Sequence, residues 1–273
     1  MALGDARREK ETSRTVPEIG ADSSKVTASQ LRNDLAALYR IINNISVVET
    51  AKDEAELIAR VTQTRAPLVI SFVNQNTLNL AAKSPHFARC LMYSDILLRD
   101  GIGIALCMAA LRRTSGHNMN GTDFIPRLLE AFAGQRVAIF GTADPWTTRA
   151  AAVLRQMGCD IVSTMDGFGP EEGYLAETVA TKPDLIILGM GNPRQEVVAE
   201  FIASSTTRPL VIINGGAIVD FLARRFQRAP LYIRRAHCEW AFRLLLEPKR
   251  LWRRYCLGGF SFAWRVFLLW ALL

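Results

Sequence analysis

Leu185-Ile186-Ile187-Leu188-Gly189-Met190-Gly191-Asn192-Pro193-Arg194-Gln195-Glu196 is the stretch on which the fold turns. Four continuous apolar residues with no polar alternation read as a strand buried on both faces, the pattern of a parallel sheet. Gly189 and Gly191 make a tight turn, and Pro193 suits a first helical turn. A helix is therefore expected to leave with Gln195 and Glu196 at its amino end, facing the space beyond the strand.

The same unit recurs outward in both directions. Short apolar runs at Leu68–Val73, Ile96–Leu98, Val137–Phe140, Asp160–Thr164 and Leu210–Ile213 alternate with longer helical patterns. Leu31, Leu35, Leu38 and Ile42, then Leu57, Ile58 and Val61, mark two amphipathic helices around a short Ile45–Val48 strand. The expected architecture is α/β, a Rossmann-like parallel sheet flanked by helices, filling residues 29–223. Residues 1–28 hold almost no large apolar side chains and read as a disordered leader.

In such sheets ligands lie beyond the carboxyl ends of the strands. The loops expected there are Asn74-Gln75-Asn76, Asp100-Gly101-Ile102-Gly103, Gly141-Thr142-Ala143-Asp144, Gly189 to Pro193 and Asn214-Gly215-Gly216. Each leads from a strand towards a helix, where free backbone amides meet phosphate oxygens, so a nucleotide site is expected. Asn74, Asn76, Gly141, Gln195, Glu196, Gly215 and Gly216 are its candidate substrate-binding residues. The Gly-x-Gly lacks the third glycine of a dinucleotide fingerprint, which counts against a nicotinamide-dependent oxidoreductase.

Asp100 stands where a base could take a proton from an attacking hydroxyl, although a carboxylate there also serves as an ordinary helix cap. Glu196 either faces the ligand or complements the helix dipole. In Asn120-Gly121-Thr122-Asp123, Asn120 or Thr122 suits a cap for the run Phe124–Phe132, and Gly121, Thr122 and Asp123 are further candidates for substrate contact. Asp220 either holds ribose or sugar hydroxyls or sits near a helix end for structural reasons.

Charge is unevenly placed. The chain carries a net +7, but from Arg224 to Leu273 eleven Arg or Lys face only Glu239 and Glu247, about +9, leaving about −2 for everything earlier. Residues 224–273 therefore read as a basic, aromatic, helical appendage, with Trp240, Trp252, Tyr255, Trp264 and Trp270 among the arginines. Arginine with tryptophan suits anionic headgroups at a membrane surface and, by stacking, also RNA. The apolar stretch 256–273, interrupted by Arg265, favours the membrane: it is marginal for spanning and well suited to an interface, so no nucleic-acid partner is expected. Burial against another copy of the chain is the competing use of the same surface. A non-enzymatic basic adaptor for membrane or RNA is the rival to an enzyme.

Five cysteines without paired metal spacing read as reduced, buried thiols in a cytosolic setting. Met1–Lys25 lacks the apolar run of a signal peptide, which places the expected work on the cytoplasmic face of the membrane.

Asp100-Gly101-Ile102-Gly103, Gly121-Thr122-Asp123, Gly167-Phe168, Pro183-Asp184, Gly189 to Glu196, Gly215-Gly216, Asp220, Arg228-Ala229-Pro230, Glu239-Trp240, Arg243, Glu247-Pro248 and Arg250 to Tyr255 follow one another in an order that resembles the WecG/TagA/CpsF family of bacterial glycosyltransferases. The resemblance runs from about Ser46 to Tyr255. It implies inverting transfer of a hexose-type sugar from a UDP-sugar to a polyprenyl-diphosphate-linked saccharide, in exopolysaccharide, capsule or cell-wall polymer synthesis, with neither cofactor nor metal. By the same resemblance Asp100 is the candidate base, Asn76 and Gln195 line the sugar pocket, and Asp220 lies near the nucleoside. Arg243, Arg250 and Arg253, joined by Arg228, are the candidate contacts to the acceptor and its diphosphate at the inner membrane. Two positions depart from the family pattern: Asn74 stands where threonine is frequent and Asn118 where arginine is, so the donor sugar is left open.

Overall fold

The computed structural model describes residues 28–236 and 238–272; the expected leader lies outside them except for its last residue. In chain order the elements are α1 (Ala28–Asn43), β1 (Ile45–Ser46), α2 (Ala51–Thr62), β2 (Pro67–Val73), α3 (Gln75–Ala81), α4 (Pro85–Met92), β3 (Ile96–Arg99), α5 (Ile102–Ala110), α6 (Gly121–Glu130), β4 (Arg136–Gly141), α7 (Trp146–Gln156), β5 (Asp160–Met165), α8 (Glu171–Thr181), β6 (Leu185–Gly189), α9 (Arg194–Ser204), β7 (Leu210–Asn214) and α10 (Ile218–Leu222). The appendage follows as α11 (Leu231–Arg235), α12 (Glu239–Leu246), α13 (Pro248–Trp252), a π-helical turn over Arg253–Leu257, and α14 (Gly258–Ala271).

All seven strands pair in parallel, in the order β1-β3-β2-β7-β6-β4-β5. Strands β1 to β3 build one side and β4 to β7 the other, and the halves meet at the pairing of β2 with β7. The loops after β2, β3, β6 and β7 thus open on one edge of the sheet, where the chain reverses its direction of growth.

Strand side chains alternate between two packed layers, as a period of two requires. Val211 and Ile213 of β7 join Ile70, Phe124, Leu128 and Leu154 on the face covered by α2, α6, α7 and α10. Leu210 and Ile212 turn the other way, onto Val198 and Ile202 of α9. A third cluster gathers α1, α3, α4 and α5 around Val73 and Leu97, and it includes Phe262 and Leu269 of α14. The apolar carboxyl-terminal stretch, expected to lie at a membrane, therefore gives one face to the protein core. Its other face leaves Phe260, Trp264, Phe267 and Trp270 exposed. Among the described residues no helix is long and apolar enough to cross a membrane.

Two local expectations shift in detail. Pro193 is the N-cap of α9 rather than a residue of its first turn. Of the five cysteines, all free, Cys90, Cys107 and Cys159 are buried while Cys238 and Cys256 are exposed.

Candidate functional site

Asp100 follows β3 directly, and its N–H donates to Val73 O at 2.9 Å, tying the acid to the end of β2. Gly101 turns with φ of +90° and donates its N–H to Asn118 Oδ1 at 2.7 Å. Helix α5 then begins at Ile102 with Gly101 as N-cap and no side-chain capping bond. Asp100 is thus not a cap, and it lines a cavity of about 1030 Å³. Arg99, buried behind it, donates to the carbonyls of Ser115, Gly101 and Gly116 and braces the loop that carries Asn118.

Asn74 caps α3 by accepting the Thr77 N–H at 3.1 Å, and its Nδ2 donates to Asp100 Oδ2 at 3.1 Å. Burial raises the Asp100 pKa above the ordinary carboxylate value, and the Asn74 bond with the positive charges of Arg254, Arg243 and Arg99 pulls against that rise. A carboxyl held this way binds a proton more readily than a solvated one, which suits a group that takes a proton from a hydroxyl.

Opposite, Gln195 stitches two loops together: its Oε1 accepts the N–H of Gly191 at 3.1 Å and of Gly216 at 3.0 Å. Gly191 adopts φ of +77°, a conformation glycine takes without strain. Gln195 Nε2 donates to Glu196 Oε1 at 2.9 Å, and Asn192 Nδ2 donates to the same oxygen. Glu196 is buried beneath Gln195 and does not line the cavity; burial pushes its pKa up to about 7 against those hydrogen bonds. Gly141 also lies off the cavity, where φ of +147° lets β4 pass so close to Gly189 that any Cβ would collide with its backbone.

Asp220, in the first turn of α10, accepts from Thr142 Oγ1 at 3.1 Å and from Arg225 Nη1 at 3.0 Å. The Arg225 guanidinium lies over Trp146 and Phe226, 5.3 and 5.4 Å from the ring centres. Asp123 turns away from the cavity. It pairs with Arg228 and, at 3.4 Å, with Arg234, and these cations with Asn120 outweigh burial and hold its carboxyl below the usual range. Arg228 is thus engaged in a structural ion pair outside the main cavity.

The appendage covers the mouth. Gln75 Nε2 donates to Arg254 O at 3.3 Å, Asn79 Nδ2 to Gly258 O at 2.7 Å, and Arg265 Nη1 to Asn79 Oδ1 at 2.9 Å. These bonds set Arg243, Arg254, Trp240 and Tyr255 into the lining beside Asp100. Arg253 is exposed and lies over the Trp252 ring at 5.5 Å, and the side chain of Arg250 falls outside the described residues.

Among the sequence candidates, then, Asp100, Asn74, Asn76, Gly121, Thr122, Gln195, Gly215, Gly216, Asp220 and Arg243 share one cavity, whereas Gly141, Glu196, Asp123, Arg228 and Arg253 do not line it. Sequence reading passed over Arg225, Arg234, Glu239 and Arg254 as site residues. The Arg250–Tyr255 run signalled a cationic contact, and the residue of it that lines the cavity is Arg254, on the helical face that carries Glu247 and the buried Leu251. No group of three or more His, Cys, Asp or Glu side chains among the described residues is placed to hold a metal ion.

The sequence that builds this site has relatives among known proteins. The family model described as the glycosyl transferase WecG/TagA/CpsF family matches residues 40–272, and the chain belongs to that family of glycosyltransferases. It is similar to the N-acetylglucosaminyldiphosphoundecaprenol N-acetyl-beta-D-mannosaminyltransferase of Bacillus spizizenii, 26% identical over 179 residues that cover 64% of this chain and 69% of that protein. The protein of the same description from Staphylococcus aureus is 26% identical over 198 residues, 68% of this chain and 75% of its own length.

Proposed function

We propose that this glycosyltransferase moves a hexose-type sugar, with inversion and without a metal, from a UDP-sugar to a saccharide carried on a polyprenyl diphosphate. The observation that carries the reading is Asp100, recessed in the cavity within the field of Arg243 and Arg254. The accepting hydroxyl attacks the anomeric carbon and gives its proton to the Asp100 carboxylate, while the bond to the UDP oxygen breaks. The leaving diphosphate takes up negative charge, which arginine forks and the amides of the glycine loops stabilise. Gln195 and Asn76 reach the sugar, and Asp220 with Arg225 faces the nucleoside.

The relatives' names specify an acceptor of N-acetylglucosamine on diphosphoundecaprenol, and the same acceptor class is proposed here. Exposed Phe260, Trp264, Phe267 and Trp270 beside the basic appendage support a peripheral seat on the cytoplasmic face of the bacterial inner membrane. The test is a panel of UDP-sugars offered with a short lipid-diphosphate saccharide, with products identified by mass. A product one hexose-type unit heavier supports the reading, and no product from any donor overturns it.

A further inference from the structure

Helices α5 and α14 pack on one another where Gly103 meets Phe262, and both contribute to the wall of the cavity that Asp100 lines. Ile102 and Leu106 stand one turn apart on α5, and Phe262 and Val266 one turn apart on α14, with Ala263 between them; all five line the cavity. Helix α5, Ile-Gly-Ile-Ala-Leu-Cys-Met-Ala-Ala, carries no charged side chain. Leu106 is 64% exposed although it points into a concavity. An exposed leucine on a convex surface is ordinary. Apolar side chains that two packed helices present to one cavity are instead the lining an apolar ligand fills.

We infer that this trough between α5 and α14 seats the first isoprenoid units of the acceptor, an assignment that rests on the lipid-diphosphate reading above. The chemistry of the groups that share the cavity carries it. Asp100 is two residues from Ile102, so the reacting carboxylate and the apolar wall belong to one loop and helix. Arg243 and Arg254 lie beside that carboxylate and lower its proton affinity. Carboxylate, cations and apolar side chains thus line one cavity, as hydroxyl, diphosphate and hydrocarbon belong to one acceptor molecule. Arg265, the single cation of α14, is drawn aside onto Asn79 and Ser261, which keeps charge out of the trough.

The test uses the full chain and measures binding of farnesyl diphosphate, inorganic diphosphate and UDP to the wild type, Leu106→Gln and Val266→Gln. Farnesyl diphosphate is expected to bind at least about tenfold more tightly than inorganic diphosphate, since each buried methylene contributes about 0.8 kcal/mol. Both variants should reduce that advantage to about threefold or less while inorganic diphosphate and UDP bind as before. Equal affinity of the wild type for the two diphosphates overturns the inference, as does a uniform loss across all three ligands. A change of sedimentation state in Leu106→Gln with unaltered farnesyl diphosphate binding also overturns it, in favour of a second copy of the chain on this face. Failure of sugar transfer from every donor, with the farnesyl advantage intact, removes the proposed reaction and leaves the trough standing.

Discussion

Asn74 Nδ2 and Asp100 Oδ2 are joined by a 3.1 Å hydrogen bond between the loops that leave β2 and β3. The amide that caps α3 is therefore the same group that steadies the proposed base, and its two ends have separable jobs.

Asn74→Asp tests that separation. The cap survives because a carboxylate oxygen still accepts the Thr77 N–H, but the donor to Asp100 becomes a second anion. Both changes raise the Asp100 pKa, so the acidic limb of the pH–rate profile should move to higher pH with little change in Tm. A limb that stays in place removes Asn74 from control of the acid.

Asp100→Asn should lower kcat by about 10²- to 10⁴-fold, the usual contribution of a general base, with UDP affinity within a few-fold of wild type. Because burial raises this pKa, the folded chain holds the proton more tightly than the unfolded one, and the acid's contribution to stability is lost as pH rises through the folded value. The variant should therefore melt no lower than the wild type at neutral pH. Near-normal turnover would end the assignment of Asp100 as base.

Glu196 provides a second, catalysis-free measurement. Its pKa of about 7 against an ordinary 4.5 means full stability below 4.5 and progressive loss up to 7. The difference corresponds to about 3 kcal/mol. Denaturant melts of Glu196→Gln should lack this slope, so its advantage over the wild type should grow between those pH values. Parallel stability curves would show that Glu196 titrates normally.

Arg254→Ala should reduce kcat/KM by about 10²-fold, as expected for a lost donor to developing charge. Arg253→Ala should cost far less, because that side chain lies outside over Trp252. Steady-state kinetics with the lipid acceptor decides, and equal losses would contradict the inward phase of Arg254.

Trp264, Phe267 and Trp270, replaced together by Ser, should weaken sedimentation with anionic vesicles while UDP binding persists. Undiminished vesicle binding would assign that face to something other than a bilayer.

The sheet was readable from the sequence because buried parallel strands announce themselves as continuous apolar runs, as at Leu185–Leu188 and Leu210–Ile213, and each run lies within a strand. The loops that follow them were equally legible, since glycine and amide residues after a strand have few other uses. Side-chain direction was not. Whether Asp123 enters the cavity or turns to Arg228 depends on a cation 105 residues away, which no local pattern encodes. Glu196 and Gln195 are neighbours of similar size, yet one lines the cavity and the other lies under it, because helix geometry sends adjacent side chains in different directions. In the appendage, apolar residues served core, trough and outer surface at once, so hydropathy gave no single face.

The clasp formed by Gln75 and Asn79 changes how shortened versions of this enzyme should be understood. Removing the last twenty residues would strip hydrogen-bond partners from α3 and uncover the leucines and phenylalanines that Phe262 and Leu269 shield. Such a fragment would be a protein with a wounded interior, prone to self-association. Its inactivity would then report damage to the scaffold as much as the loss of any arginine.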